Sequence, residues 1–242
     1  MYEPRTYRAL IKSKDLVAFE VVEAETDLFI SADRDLSVKA KEFVKEARIE
    51  LTKYIVKHPS FETSFAPLPT EFGASSIVSD MLKYSKRVGI GPMAAVAGAV
   101  AEYVGKKLLK YSKQVIVENG GDIFIRSLEP RTVAVFAGKS PFSQKIALEV
   151  AAKDTPLGIC TSSGAIGHSF SFGSADAVVI TARSAALADA AATAVGNAVK
   201  KDEDIEAGLV LAQKIKGLCG TLIIKDDKMG IWGKMKISGM GQ

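Results

Sequence analysis

Hydrophobic residues follow strand spacing and helix spacing in separate blocks, and this arrangement most limits how the chain can fold. Short alternating apolar runs open the sequence, apolar spacings of three and four residues follow, and strand patterns then return. Blocks without strict strand–helix alternation predict an α+β fold, with a mainly antiparallel sheet packed with helices. The predicted strands are 7–11, 16–22, 28–30, 115–118, 122–125, 132–137, 145–151, 175–181, 221–225 and 231–237, and the predicted helices are 36–57, 75–88, 184–200 and 202–216.

Composition fits a folded protein and does not identify an activity. Of the 242 residues, 48% are hydrophobic and 25% are charged, which favours a packed core over disorder. The net charge is +4, with basic and acidic residues interspersed, so we expect no nucleic-acid partner. Because no break in composition divides the chain, we predict one domain over residues 1–242, with room for two lobes.

Three features predict a cytoplasmic protein without a membrane partner. The N-terminal residues carry no apolar signal segment. The most continuous small-apolar stretch begins at Pro92 and is closed by Glu102, which is far short of the roughly 20 residues that a spanning helix needs. The two cysteines, Cys160 and Cys219, are widely separated, which favours free thiols in a reducing compartment.

Residues 89–102 combine a Gly-Ile-Gly-Pro turn with a run of small side chains. Proline favours the first turn of a helix, so we expect a helix to begin near Pro92. Two interpretations stay open. The small side chains allow close packing against the sheet, or the turn at Gly91 presents backbone N–H groups to a phosphate.

Two glycines interrupt a strand pattern between Asn119 and Asp122. A glycine in such a place marks a β-bulge or a point where another group approaches the backbone. A bulge alone accounts for this segment, and a ligand phosphate or ring edge is the functional alternative. The four residues concerned are Asn119, Gly120, Gly121 and Asp122.

Residues 158–171 concentrate polar side chains in what we predict to be a functional loop. His168 titrates near neutral pH and is a candidate base or ligand. Cys160 is a candidate nucleophile if its thiolate is favoured, although a cysteine in this setting is more often a small buried residue. Hydroxyl groups follow it at Thr161, Ser162 and Ser163.

Asp189 and Thr193 lie four residues apart in an alanine-rich predicted helix, which places their oxygens on one face. A carboxylate and a hydroxyl, completed by water and phosphate oxygens, match the ligands that Mg²⁺ prefers. The pair is common by chance. An aspartate among small apolar residues, however, needs a partner to offset its burial.

Taken in order, these segments resemble the ApbE-like superfamily of flavin transferases, and they are most similar to a cytoplasmic branch of it. The resemblance covers about residues 89–196. Its motifs are Gly89-x-Gly91-Pro92, Asn119-Gly120-Gly121-Asp122, Cys160-Thr161-Ser162-Ser163-Gly164, His168 and Ala186-Leu187-Ala188-Asp189-Ala190-Ala191-Ala192-Thr193. Singly the motifs are modest, and in this order they are fairly specific.

The resemblance implies a T-fold-related α+β architecture, bound FAD, and Mg²⁺ between the protein and the diphosphate. In this superfamily the FMN half of FAD is moved to a Ser or Thr hydroxyl of an acceptor protein. By position, Asp189 and Thr193 would hold the metal and His168 would lie near the reacting phosphate. The Asn119–Asp122 segment would border the flavin.

Two departures from the superfamily pattern keep other functions open. His168 is followed by Ser169-Phe170-Ser171-Phe172 instead of an apolar pair and Asp-Pro, and Gly89-Ile90-Gly91-Pro92 replaces a Lys-Gly-Tyr helix entry. The alternatives are a non-catalytic flavin or nucleotide binder, thiol or sulfur chemistry at Cys160, and a purely structural protein. Because sheet edges often pair, a homodimer is a candidate assembly.

Overall fold

A computed structural model describes residues 15–163 and 173–240. The strands of this part are β1 (Val17–Glu23), β2 (Thr26–Ala32), β3 (Val115–Asn119), β4 (Asp122–Arg126), β5 (Arg131–Ala134), β6 (Ile146–Val150), β7 (Leu157–Ser162), β8 (Ala177–Ala182), β9 (Leu218–Lys225), β10 (Lys228–Gly233) and β11 (Lys236–Gly239). Its α-helices are α1 (Ser37–Lys57), α2 (Ser60–Thr63), α3 (Ser76–Val88), α4 (Val96–Leu108), α5 (Ala185–Ala198) and α6 (Ile205–Lys214). Short 3-10 turns cover Pro92–Ala95, Ala152–Asp154 and Asp202–Asp204.

Eight strands form one sheet in the order β1-β2-β3-β4-β7-β8-β9-β10. Each neighbouring pair in this order is antiparallel. Strands β11, β6 and β5 form a second, three-stranded antiparallel sheet. The predicted α+β class with a mainly antiparallel sheet is therefore confirmed.

The two faces of the large sheet are covered differently. Side chains alternate across a strand, and in β4 Phe124 joins the core beneath the helices while Ile123 and Ile125 join a second core on the side of the small sheet. In β7, Cys160 faces the helices and Ile159 faces the small sheet. Because both faces are buried, these central strands lack a clear apolar–polar alternation.

The predicted helical spacing appears in the buried faces of α1 and α3. Helix α1 buries Ala40, Val44, Ala47 and Leu51, which recur every three or four residues. Helix α3 ends at Gly89, which adopts a left-handed conformation with φ of 79°. Glycine takes this conformation without the steric cost that a Cβ imposes, so the predicted end of the helix is confirmed.

Small residues allow α4 to approach its neighbours at backbone distance. A Cβ on Gly98 would lie 2.3 Å from the carbonyl oxygen of Ala185 in α5. A Cβ on Gly105 would lie 2.2 Å from the ring of Phe124 in β4. Within the small-residue run of residues 89–102, the close approach at Gly98 is to helix α5, whereas the close approach to the sheet is made by Gly105, just beyond the run.

The structure differs from the sequence predictions at two strands, and it does not describe a third. The strand predicted at 231–237 is wrong, because the chain turns at Gly233, with φ of 83°, and divides the segment between β10 and β11 in different sheets. The sequence patterns missed β7. The strand predicted at 7–11 lies outside the described residues.

No single helix within residues 15–163 and 173–240 is long and apolar enough to cross a membrane. The helical segments Ser76–Val88 and Pro92–Leu108 reach the required length and apolar character only together, and the chain bends by 106° between them.

Candidate functional site

The segment from Asn119 to Asp122 is a tight hairpin turn between β3 and β4. Asn119 and Asp122 form the last pair of the ladder, and Gly120 and Gly121 between them have φ of 66° and 101°. Two central residues at positive φ are typical of a type I′ turn, which accounts for both glycines and replaces the bulge interpretation. A Cβ on Gly121 would meet nothing within 4 Å, so space lies open beside the turn.

This hairpin lies against the first turn of α4. The side-chain amide of Asn119 donates a hydrogen bond to the Ala97 carbonyl oxygen at 3.1 Å. The Gly121 backbone N–H donates to Glu118 Oε1 at 2.8 Å. The first bond joins the turn to the helix and the second closes the turn itself, so Asp122 at the end of the turn lies near the start of α4.

Asp189 reaches the first turn of α4 from α5. Its Oδ2 accepts a hydrogen bond from the Gly98 backbone N–H at 2.8 Å, and no side chain at the α4 N-cap supplies a cap. Asp189 therefore caps a neighbouring helix. Burial raises the pKa of its carboxyl to about 7, and the backbone hydrogen bonds from Gly98 and Ala97 lower this pKa by a smaller amount.

Asp122 is buried beside this carboxylate, with only 8% of its surface exposed. Burial raises the pKa of its carboxyl well above the usual value, and the negative charge of Asp189 raises it further. Among the described residues, Asp122 Oδ1 is buried without a hydrogen-bond partner. An unpaired buried carboxylate oxygen is costly, and a cation shared with Asp189 would satisfy it.

Helix α5 lies along β7, which positions Asp189 and Thr193 over the helix-facing side of the sheet. At one end, a Cβ on Gly158 would lie 2.3 Å from Ala185 Cα, and at the other a Cβ on Gly196 would lie 3.3 Å from Ser162 Oγ. Thr193 follows Asp189 by one turn and is 7% exposed. We refer to Asn119, Asp122, Asp189 and Thr193 as the two-carboxylate site.

Cys160 lies in a buried strand, so the loop predicted over 158–171 is wrong for its first part. The Cys160 side chain is fully buried, and its Sγ contacts the Ala185 carbonyl oxygen at 3.3 Å. Burial raises the pKa of the thiol well above the usual value, and the charges of Asp122 and Asp189 add to that effect. A neutral, enclosed thiol is a poor nucleophile, so this geometry argues against the catalytic role predicted for Cys160.

The hydroxyl residues after Cys160 lie at the end of β7. Ser162 faces Gly196 of α5, and alternation along the strand turns Thr161 to the opposite face. Thr161 reaches the site through its backbone N–H, which hydrogen-bonds the Asp122 carboxyl. Ser163 follows directly and is partly exposed. His168, the predicted base, lies outside the described residues.

Gly91 serves packing in this structure. It is buried, and a Cβ placed on it would lie 1.8 Å from the Ser64 carbonyl oxygen. The first-turn amides of α4 that could bind an anion belong to Ala97 and Gly98, and both hydrogen-bond the Asp189 carboxylate. Backbone of Ser64 thus occupies the space beside Gly91, and the Asp189 carboxylate occupies two first-turn amides of α4, so this geometry favours the packing interpretation of the turn. The phosphate site at Gly91 stays a prediction.

The donor set suits a cation that is shared with a ligand. Within the part of the chain that the structure describes, no group of three or more His, Cys, Asp or Glu side chains is arranged to hold a metal ion. Mg²⁺ commonly takes one or two protein carboxylates and completes its shell with water and phosphate oxygens. Two carboxylates and a hydroxyl fit that pattern better than they fit a site closed by protein ligands alone.

An open groove of about 970 Å³ lies elsewhere, on the outer face of α1. Lys45, Ile49, Lys53 and Val56 are among its lining residues, and none of its lining residues belongs to the two-carboxylate site. Size alone does not mark a functional site, because a binding site also needs polar groups that converge on the ligand.

Fold and site together define a helix-covered antiparallel sheet with a two-carboxylate centre at the N-terminus of α4. A family model described as "AbpE bacteria" matches residues 8–216. The chain therefore belongs to this family, within the ApbE-like superfamily.

Curated relatives support the same assignment. The UPF0280 protein of Methanocaldococcus jannaschii is 39% identical over 221 residues, which cover 89% of this chain and 90% of the relative. The UPF0280 protein of Methanospirillum hungatei is 45% identical over 175 residues, which cover 72% of this chain and 71% of the relative.

Solved structures share the fold at low sequence identity. The flavin transferase ApbE from Vibrio cholerae matches with a TM-score of 0.60 and 12% identity, and the match covers 90% of this chain and 96% of that one. The ApbE protein from Thermotoga maritima matches with a TM-score of 0.54 and 14% identity, over 86% of this chain and 94% of that one. The predicted ApbE-like architecture is confirmed.

Proposed function

We propose that this protein is a Mg²⁺-dependent flavin transferase that moves FMN from FAD to a Ser or Thr hydroxyl of an acceptor protein. The observation that carries the proposal is the buried, unpaired Oδ1 of Asp122 beside the Asp189 carboxylate. The flavin transferases among the solved structures of the same fold support it.

Asp189 and Thr193 are the proposed metal ligands, and Asp122 offers a further carboxylate next to them. A bound Mg²⁺ would neutralise these carboxylates and the diphosphate of FAD, and would offset negative charge on the transferred phosphoryl group. Asp189 Oδ2 accepts the Gly98 N–H, and Oδ1 is the proposed metal-binding atom.

The open side of the Asn119–Asp122 turn is the proposed flavin border. The turn is rigidly held by Asn119 against α4, and space beside Gly121 is free. Thr161, Ser162 and Ser163 at the end of β7 supply backbone and hydroxyl groups for the nucleotide on the adjoining side.

The transfer step exchanges one phosphorus–oxygen bond for another. The acceptor hydroxyl oxygen attacks the FMN phosphorus of FAD, the bond to the AMP moiety breaks, and AMP leaves with the bridging oxygen. The proton of the hydroxyl passes to a base, for which His168 stays the candidate. A cytoplasmic acceptor and a homodimer remain parts of the proposal.

Mass spectrometry of reaction mixtures tests this function. Purified protein is incubated with FAD, Mg²⁺ and candidate acceptor proteins, and we expect an FMN adduct on the acceptor together with released AMP. The Thr193→Val variant should lose transfer, and the matched Thr193→Ser variant should keep it, because only the second retains a hydroxyl at this position. Absence of both adduct and AMP with every acceptor would contradict the transferase.

Binding without transfer is the second candidate, because the residues after His168 differ from the superfamily pattern. It predicts that FAD binds in a Mg²⁺-dependent way and that no AMP is released. Any AMP release that depends on the acceptor protein would exclude it.

A further inference from the structure

Glu102 is a buried carboxylate that lies outside the two-carboxylate site. It sits on α4 with 4% of its surface exposed. Its Oε2 accepts hydrogen bonds from the Ser184 hydroxyl at 2.7 Å and from the Ala186 backbone N–H at 3.2 Å. Its Oε1 pairs with Lys106 Nζ at 2.6 Å. Glu102 Oε2 thus accepts both of its hydrogen bonds from the N-terminus of α5.

Ser184 links this carboxylate to the body of α5. It is the N-cap of the helix, and its hydroxyl oxygen accepts the Leu187 N–H at 3.4 Å while its hydroxyl proton points to Glu102. The charge of Glu102 also complements the positive end of the α5 dipole. Glu102 therefore fixes where α5 begins, one turn before Asp189.

Helices α4 and α5 each cap the N-terminus of the other with a carboxylate. Glu102 of α4 caps the first turn of α5, and Asp189 of α5 caps the first turn of α4 through Gly98. The helices also touch at backbone distance, since a Cβ on Gly98 would lie 2.3 Å from the Ala185 carbonyl oxygen. A shift of either helix along the other would break a cap at both ends.

We infer that Glu102 is a positioning residue for the proposed cation site. Acting through Ser184, it holds the first turn of α5 so that Asp189 keeps one oxygen on the Gly98 N–H and directs the other toward Asp122. This inference rests on the proposed function, in which Asp189 binds a divalent cation together with FAD. Groups that orient metal ligands in this way change metal affinity when they are removed.

The test measures Mn²⁺ binding in the presence of FAD by electron paramagnetic resonance, and the exchange of the Gly98 amide hydrogen by NMR in the cation-free protein. Ser184→Ala removes the link, Ser184→Thr restores a hydroxyl, and Glu102→Gln keeps the shape without the charge. Lys106→Met is the matched control, because it removes only the outer ion pair of Glu102.

Ser184→Ala and Glu102→Gln should weaken Mn²⁺ binding by about 10- to 100-fold at a temperature well below their melting points, and Gly98 exchange should accelerate. Ser184→Thr and Lys106→Met should stay close to the parent protein. If Glu102→Gln does not fold, the comparison of Ser184→Ala with Ser184→Thr is sufficient to test the positioning role.

Two results would overturn the positioning role. In the first, Ser184→Ala binds Mn²⁺ as tightly as the parent protein and protects the Gly98 amide from exchange equally well. In the second, the loss of Mn²⁺ affinity in every variant is proportional to the drop in its melting temperature. If the parent protein itself binds no Mn²⁺ with FAD, the proposed function fails. Gly98 exchange still decides whether Glu102 positions Asp189, since it needs no cation.

Discussion

The Asp189→Asn substitution should stabilise the cation-free protein at pH 8 and have little effect on its stability at pH 4.5. The folded structure raises the pKa of Asp189 from 3.8 to about 7. The unfolded chain therefore loses this proton at a lower pH than the folded protein does. As a result, the stability that the protonated carboxyl contributes is present below about pH 4 and is lost as the pH rises to about 7.

The size of the effect follows from the two pKa values. The difference between about 7 and 3.8 corresponds to about 4 kcal/mol at about 1.36 kcal/mol for each pH unit. Because Asp189 is partly exposed, we expect about 2 kcal/mol at pH 8. An asparagine oxygen can still accept the Gly98 N–H, so the helix cap is retained in part.

Urea denaturation at pH 4.5 and pH 8 in the presence of a chelator measures this difference. Asp204 is the control, because its hydrogen bonds to the backbone of Lys200 and Lys201 lower its folded pKa. Asp204→Asn should therefore be less stable than the parent protein above about pH 4, a change opposite in sign to that expected for Asp189→Asn at pH 8. The reasoning is refuted if Asp189→Asn gives the same stability change at both pH values or destabilises the protein at pH 8.

Three further substitutions test other parts of the structure. Gly98→Ala should destabilise the protein by about 1–3 kcal/mol in urea denaturation, because the new Cβ meets the Ala185 backbone; an unchanged midpoint would contradict the close contact. Gly121→Ala should cost about 1–2 kcal/mol through its positive φ alone, and a neutral effect would show that the turn relaxes. Asp15→Asn should cost less than about 1 kcal/mol at pH 7, because its ion pair with Arg131 lowers the pKa of Asp15 to about 2. This cost should shrink as the pH falls from about 4 through about 2; a cost that is the same at pH 7 and pH 2 would contradict the ion pair.

Sequence patterns predicted the fold class because helices packed on one side keep a regular apolar spacing. Ala40, Val44, Ala47 and Leu51 show it in α1, and Gly89 marks the end of α3. Strand β7 was missed because its residues do not show the apolar pattern of a strand and instead make close contact with α5. Gly158 must lack a side chain where Ala185 approaches, and Cys160, Thr161 and Ser162 have the composition of a loop.

Some of the predicted site residues lie close together in the structure. Asn119 and Asp189 both hydrogen-bond the first turn of α4, and Asp122 lies beside Asp189, whereas Gly91 packs against backbone and Cys160 is enclosed. Their roles in binding and catalysis stay predictions. The sequence could not show that Asp189 also caps α4, because Gly98, which donates to it, lies 91 positions earlier in the chain.

Glu102 was missed for a similar reason. It interrupts a small-apolar run and precedes Lys106 by four residues, which is typical of an exposed ion pair. In the structure it is buried, and its partners Ser184 and Ala186 follow it by more than 80 positions. A charged residue inside a run of small apolar residues was the available signal.

Calorimetric titration of FAD into the chelator-treated protein, with and without added Mg²⁺, tests the central claim most directly. We predict that Mg²⁺ strengthens FAD binding by about tenfold or more, and that this gain disappears in Asp189→Asn. Equal FAD affinity with and without Mg²⁺ in the parent protein, or a full Mg²⁺ effect in Asp189→Asn, would contradict a cation held between this carboxylate and the diphosphate.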